Sequence, residues 1–214
     1  MAPKCIIFDC DGTLVDSEAL TNQAIAEMAG EIGIEMTGDE ACATFGGKTL
    51  DGVIYMMKEL SGKELPADWL PKLTQRVNEA WDSKLAPVSG VKELLRNIQI
   101  PICVASNGEP LHVRHSLRIT ELYDFFGDNI YTASQVNKPK PAPDLFLYAA
   151  EKMGFDTEDC VVIEDSVTGV QAAVNAEIKV FGIINNLFTE QDLRNAGATT
   201  FKNMQELPGL LGLK

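Results

Sequence analysis

Apolar residues in this chain fall into two alternating patterns. Short continuous runs recur at residues 5–8, 100–105, 160–163 and 179–184. Runs of that length, bounded by polar or turn residues, predict strands buried on both faces. Between them, apolar positions return every three or four residues. Val91, Leu94, Leu95 and Ile98 form one such stripe, and Phe146, Ala149, Ala150 and Met153 form another. Gly169, Val170, Ala173 and Val174 form a third. That spacing places each set on one face of a helix. Strand and helix in alternation predict an α/β fold, with a parallel sheet, right-handed crossovers and helices on both faces.

Residues 17–85 break this rhythm. They hold no strand-like run. Leu50, Val53, Ile54 and Met57 make one helical stripe, and Leu70, Leu73, Val77 and Ala80 make another. Pro66 and Pro71 are expected to punctuate between the two. The spacing predicts a helical insert directly after the first strand, sitting over the sheet. Its entry is Asp16-Ser17-Glu18, a plausible helix start. Its exit is Leu85-Ala86-Pro87-Val88-Ser89-Gly90, and the two segments are the expected hinges. The expected domains are therefore a core of residues 1–16 and 86–214 and a helical domain of residues 17–85.

Composition narrows the class. With 214 residues, 45% hydrophobic and 23% charged, the chain has the balance of an ordinary globular protein. No apolar run approaches the length of a membrane span, and Met1-Ala2-Pro3-Lys4 carries no signal-peptide pattern. A cytoplasmic protein without membrane attachment is expected. The net charge of -13 repels nucleic acid, and no Lys/Arg cluster opposes it. It also repels anionic substrates, so a phosphate site here would need its own local cations. Five cysteines, an odd number without a CxxC pair, argue for a reducing compartment and against disulfides or zinc. A monomer is expected.

The chemistry sits at the ends of the predicted strands, where ligands bind in parallel α/β sheets. The first element is Asp9-Cys10-Asp11-Gly12-Thr13-Leu14-Val15-Asp16. Two carboxylates side by side are costly unless a cation compensates them, and hard divalent ions such as Mg2+ prefer oxygen ligands. Cys10 has no evident base beside it and reads as a packed residue. The second element is Ser106-Asn107-Gly108, a hydroxyl followed by turn N–H groups, which is also an ordinary turn sequence. The third is Lys138-Pro139-Lys140-Pro141-Ala142-Pro143-Asp144, where prolines stiffen the backbone around a lysine. The fourth is Glu164-Asp165-Ser166. Its acids suit Mg2+, and Asp165 and Ser166 equally suit the cap of the following helix.

Together, DxDGTLVD at 9–16, the serine at 106, the KPxPDxF-like stretch at 140–146 and the acidic pair at 164–165 resemble the four motifs of the haloacid dehalogenase superfamily. The form of the last motif and the insert after the first resemble the branch with a helical cap, which includes sugar-phosphate phosphatases and beta-phosphoglucomutases. The resemblance implies a Rossmann-like core and a helical cap at 17–85. It implies that Asp9 is the nucleophile, forming an aspartyl-phosphate, and that Asp11 is the general acid and base. Ser106, the Asn107 amide and Lys140 would bind the phosphoryl group, with Lys140 selected over Lys138. Mg2+ would be held by Asp9, Asp11, Glu164 and Asp165. Gly46-Gly47-Lys48 resembles the substrate loop of this branch, so Lys48 is the candidate contact for the rest of a small phosphorylated metabolite; a solvated lysine is the competing reading. Arg76 and Lys84 are weaker candidates, and His112 and His115 read as helix-surface residues.

Two alternatives stay open. A phosphomutase must return the phosphoryl group to a sugar. In the resembling mutases a histidine stands at the position of Thr21, an arginine at that of Leu50, and an aliphatic residue often at that of Thr13; these departures favour a phosphatase. A non-catalytic binding or regulatory module of the same fold would not need Asp9, Asp11, Lys140, Glu164 and Asp165 together.

Overall fold

The computed structural model describes residues 2–46, 48, 50–185 and 187–213. The chain divides into two compact units, Met1–Asp16 with Ala86–Lys214, and Ser17–Leu85. In chain order the elements begin with β1 (Cys5–Phe8), followed by α1 (Glu18–Glu31), α2 (Gly38–Phe45), α3 (Leu50–Ser61) and α4 (Trp69–Lys84). The first unit resumes with α5 (Val91–Asn97), β2 (Ile102–Ser106), α6 (Pro110–Ile119), α7 (Tyr123–Phe126), β3 (Ile130–Thr132) and α8 (Asp144–Met153). It ends with β4 (Cys160–Glu164), α9 (Val167–Asn175), β5 (Lys179–Ile183), α10 (Glu190–Ala196), β6 (Thr199–Phe201) and α11 (Leu207–Leu211). Among the described residues no helix is long and apolar enough to cross a membrane.

The first unit is a Rossmann-like sheet of parallel strands in the order β3-β2-β1-β4-β5-β6. Each strand side alternates, so Cys5 and Ile7 face one layer and Ile6 and Phe8 the other. Cys5, Ile7, Cys103, Ala105, Cys160 and Val162 pack with Leu145, Phe146 and Ala149 of α8 and Val170 and Ala173 of α9. On the opposite face the Phe8 ring meets Phe126 of α7 edge-on at 6.1 Å. The chain order runs outward in both directions from the β1/β4 pair, which makes that pair the switch point of the sheet. Register pairs Phe8 with Ile163, and the Asp9 N–H donates to the Ile163 carbonyl at 2.9 Å. Asp9 and Glu164 therefore leave the sheet at the same level.

Two strands escape the apolar pattern. β3 and β6 have three residues each and lie at the sheet edges. Neither is long enough to show a run, and Thr199-Thr200-Phe201 is mostly polar.

Among its described residues the second unit holds helices and no strand. Ala24, Ile25 and Met28 of α1, Ala41 and Phe45 of α2, Val53 and Met57 of α3, and Trp69 and Leu73 of α4 form its core. The α2 start is fixed by a capping box: the Thr37 hydroxyl accepts from the Glu40 N–H at 3.2 Å, and the Glu40 carboxylate accepts from the Thr37 N–H at 2.7 Å. The buried Trp69 indole donates to the Met28 carbonyl at 3.3 Å, tying α4 to α1. Pro71 does not separate helices. It lies in the first turn of α4, where the missing N–H has no intrahelical partner to lose. Leu50 opens α3 but is 48% exposed, so the α3 stripe buries only Val53 and Met57 fully.

Candidate active site

The carboxyl ends of β1, β2 and β4, together with the segment leading into α8, bring the sequence-predicted core residues together. Asp9 follows β1 directly. Lys140 reaches it from the proline-rich segment, with Nζ 2.5 Å from Asp9 Oδ1 and 2.8 Å from Glu164 Oε1. Lys140 is 6% exposed, whereas Lys138 lies in solvent. Its ammonium also stands 4.6 Å from the centre of the Phe146 ring. The other Glu164 oxygen accepts from the N–H groups of Asp165 and Ser166 at 2.8 Å and from the Ser166 hydroxyl at 2.9 Å. Ser166 also caps α9 by accepting from the Gly169 N–H at 3.0 Å. The serine thus takes the helix-capping role, while Asp165 turns inward.

Glycines make room for these acids. A Cβ on Gly169 would lie 1.6 Å from Glu164 Oε1, and one on Gly12 would lie 2.1 Å from Asp165 Oδ2. Gly12 also has φ near +77°, which a side chain would strain. Asp165 is further bracketed by two donors. The Thr13 hydroxyl lies 3.3 Å from Oδ1, and Asn185 Nδ2 lies 2.7 Å from Oδ2.

The Asn107 side chain has a task that its sequence did not suggest. Its Oδ1 accepts from the Lys140 N–H at 3.0 Å, and its Nδ2 donates to the Lys140 carbonyl at 3.2 Å. It therefore clamps the lysine's own backbone. Ser106 Oγ accepts from the Gly108 N–H at 3.0 Å, and a Cβ on Gly108 would lie 3.2 Å from that oxygen and 3.7 Å from Asp11 Oδ2. Ser106 and Asp11 thus converge on the same turn.

Electrostatics mark this place. Burial, joined by the charges of Glu164 and Asp11, holds the Asp9 carboxyl well above the usual carboxylate range, against the opposing pull of Lys140. Burial works against the charge on Lys140, but Asp9 and Glu164 outweigh it and hold the ammonium above the ordinary lysine range. One ammonium therefore faces a surplus of buried carboxylates. Among the described residues, Asp9, Glu164 and Asp165 are the group whose ligand atoms lie within 4.8 Å of one another, close enough to share a metal ion. Oxygen donors around unbalanced negative charge fit a hard divalent cation. Cys10 does not join the chemistry: burial, with Asp11 and Asp9, raises its thiol well above the usual range, so no thiolate forms at neutral pH.

A family model for haloacid dehalogenase-like hydrolases matches residues 3–177. The chain belongs to this family. It is 31% identical over 208 residues to 6-phosphogluconate phosphatase of Escherichia coli K12, covering 97% of this chain and 94% of that one. It is 27% identical to the phosphorylated carbohydrates phosphatase of Thermotoga maritima, covering 97% and 98%. Among solved structures, a HAD family hydrolase from Deinococcus radiodurans R1 with bound phosphate and sodium superposes with a TM-score of 0.86 at 32% identity, over 99% of this chain and 96% of that one.

The remaining candidates of this hydrolase divide between the two units. Lys48 belongs to the helical unit, where it is exposed and its N–H donates to the Phe45 carbonyl at 3.0 Å; its neighbours Gly47 and Thr49 lie outside the described residues. Arg76 is engaged within that unit by Glu31 and, at 3.6 Å, by Glu27. Lys84 is exposed at the end of α4, and His112 and His115 are half-buried on α6. Sequence reading missed Asn185 and the two close-approach glycines. A polar residue just past an apolar strand was the available signal for Asn185. Nothing in the sequence marks the clash at Gly169.

Proposed function

We propose that this chain is a Mg2+-dependent phosphatase that hydrolyses a small phosphorylated metabolite, a sugar phosphate or sugar-acid phosphate, through a phosphoryl group carried on Asp9. The observation that carries this reading is the buried Asp9–Lys140–Glu164 array at the sheet's switch point, with Asp165 beside it. Buried charge is expensive and accumulates where a reaction uses it. The names of the Escherichia coli and Thermotoga relatives support the substrate class.

In this reading an Asp9 oxygen attacks phosphorus as the bond to the leaving oxygen breaks, and Asp11 gives that alkoxide its proton. Asp11 then takes a proton from water as the water oxygen attacks the aspartyl-phosphate. The Asp9–phosphorus bond breaks, and inorganic phosphate and free Asp9 result. The Ser106 hydroxyl, the Asn107 main-chain N–H and the Lys140 ammonium hold the phosphoryl oxygens. The Asn107 side chain acts one step back, by fixing the Lys140 backbone. Asp9, Glu164 and Asp165, with the Asp11 main-chain carbonyl, would hold Mg2+, which supplies positive charge against the repulsion between nucleophile and phosphate. Residues 17–85 are assigned the helical cap domain, with Lys48 as the residue that recognises the rest of the substrate. The phosphatase reading is preferred to a phosphomutase because Thr21, whose hydroxyl donates to the Ser17 carbonyl at 2.9 Å, stands where the resembling mutases have histidine.

The test is phosphate release from a panel of sugar phosphates, 6-phosphogluconate, phosphoglycolate and p-nitrophenyl phosphate, with Mg2+ or with EDTA. Hydrolysis of a sugar or sugar-acid phosphate that EDTA abolishes is expected. Interconversion of sugar phosphates without phosphate release, or inertness toward every ester, would overturn the reading.

A further inference from the structure

Asn185 lies just beyond β5, the strand next to β4, and two residues outside any predicted motif claim it at once. Its Oδ1 accepts from the N–H groups of Leu187 at 2.9 Å and Phe188 at 3.3 Å. These two donors fix which way the amide faces, so its Nδ2 must point the other way, to Asp165 Oδ2 at 2.7 Å. The Thr13 hydroxyl approaches the second oxygen of the same carboxylate at 3.3 Å. Asp165 is 2% exposed and shares its pocket of charge with Asp9 and Glu164. Like charges at that range repel, and a carboxylate with nothing to hold it would rotate away from its neighbours. Each carboxylate oxygen has two lone-pair sites, so a donor on each still leaves capacity for a cation.

We infer that Asn185 is a positioning residue that pre-orients Asp165 toward the divalent cation. The choice of an amide matters. A lysine or arginine at this place would orient the carboxylate and also neutralise it, competing with the ion. A neutral donor orients Asp165 and leaves its full charge for the metal. Partners of this kind, one shell out from a metal, are typically worth about 10- to 100-fold in metal affinity or activity. The inference rests on the reading of Asp9, Glu164 and Asp165 as the Mg2+ site.

The test uses Mg2+ alone, without substrate, titrated against the melting temperature of the full chain. Wild type, Asn185→Ala and Asn185→Ser are compared. The serine keeps a short acceptor for the Leu187 N–H but falls short of Asp165, so it separates the loop anchor from the carboxylate contact. Both variants are expected to need about 10- to 100-fold more Mg2+ for half-maximal stabilisation. The Mg2+ dependence of p-nitrophenyl phosphate turnover should shift by a similar factor, with little change in KM for the ester. Variants that melt lower without metal yet titrate with Mg2+ as wild type does would make Asn185 a loop anchor only and overturn the inference. A wild-type melting temperature indifferent to millimolar Mg2+ would instead overturn the metal site itself, and the inference with it.

Discussion

The two units of this hydrolase treat charge in opposite ways. In residues 1–16 and 86–214 the charged side chains of the proposed site at Asp9, Lys140, Glu164 and Asp165 are buried, and partners hold them: Lys140 by Asp9 and Glu164, Glu164 by two N–H groups and a hydroxyl, Asp165 by Thr13 and Asn185. In residues 17–85 the cations are at the surface. Lys48 is exposed, and the half-buried Arg76 pairs with Glu27 and Glu31 of α1. Desolvating a charge is costly, so a buried network persists only where geometry over-determines it, while an exposed lysine costs almost nothing. The proposed reaction is therefore assigned to side chains that several partners hold.

Substitutions in each unit test that contrast. The largest effect is expected from Asp9→Asn. The amide is nearly isosteric but cannot accept a phosphoryl group as an acyl phosphate, so phosphate release should fall to background while the melting temperature changes little. Turnover at the wild-type rate would remove Asp9 as nucleophile.

Gly169→Ala comes next. In an ordinary helix this change stabilises by about 1 kcal/mol. Here the new methyl would collide with the Glu164 carboxylate. Overpacking of this sort typically costs about 1–3 kcal/mol, so the chemical denaturation midpoint should fall, and Mg2+ affinity with it. A more stable protein with unchanged Mg2+ binding would show that Glu164 is not confined as described.

Lys48→Ala should leave the fold unchanged and have a selective effect. Loss of a charged hydrogen bond costs about 1.5–3 kcal/mol, which is roughly tenfold or more in kcat/KM. The loss is expected for the preferred sugar phosphate and not for p-nitrophenyl phosphate, which shares only the transferring group. Equal losses for both esters would point to a folding role, and no loss for either would make Lys48 a solvated side chain.

Much of the fold was legible because buried parallel strands announce themselves as apolar runs, and four of the strands lie where those runs do. β3 and β6 were not, because three residues at a sheet edge carry too little pattern. Pro71 was misread as a break because its position relative to the helix start, which decides whether proline is tolerated, is a matter of one turn. The proposed site was legible only as a set: paired acids after a strand, or a lysine among prolines, each have an ordinary reading alone, and the four elements together pointed to one place. The residues that hold those groups in place are ordinary by composition. Asn185 is one asparagine after a strand, and Asn107 resembles a turn residue until the structure places it on the Lys140 backbone. Their roles come from contacts between segments far apart in sequence, which no local pattern encodes.

In the proposed mechanism the phosphoryl group is carried on Asp9. Asp11→Asn is the form in which to catch it, because loss of general acid–base help, typically about 10²–10⁴-fold, should slow breakdown of the intermediate. Wild type and Asp11→Asn are mixed with p-nitrophenyl phosphate and Mg2+, quenched in acid, digested and mapped by mass spectrometry. One added phosphoryl group is expected on the peptide containing Asp9, located to that residue and more abundant in Asp11→Asn than in wild type. A phosphoryl group found on any other residue, or an Asp11→Asn enzyme that turns over at the wild-type rate with Asp9 unmodified, would contradict it.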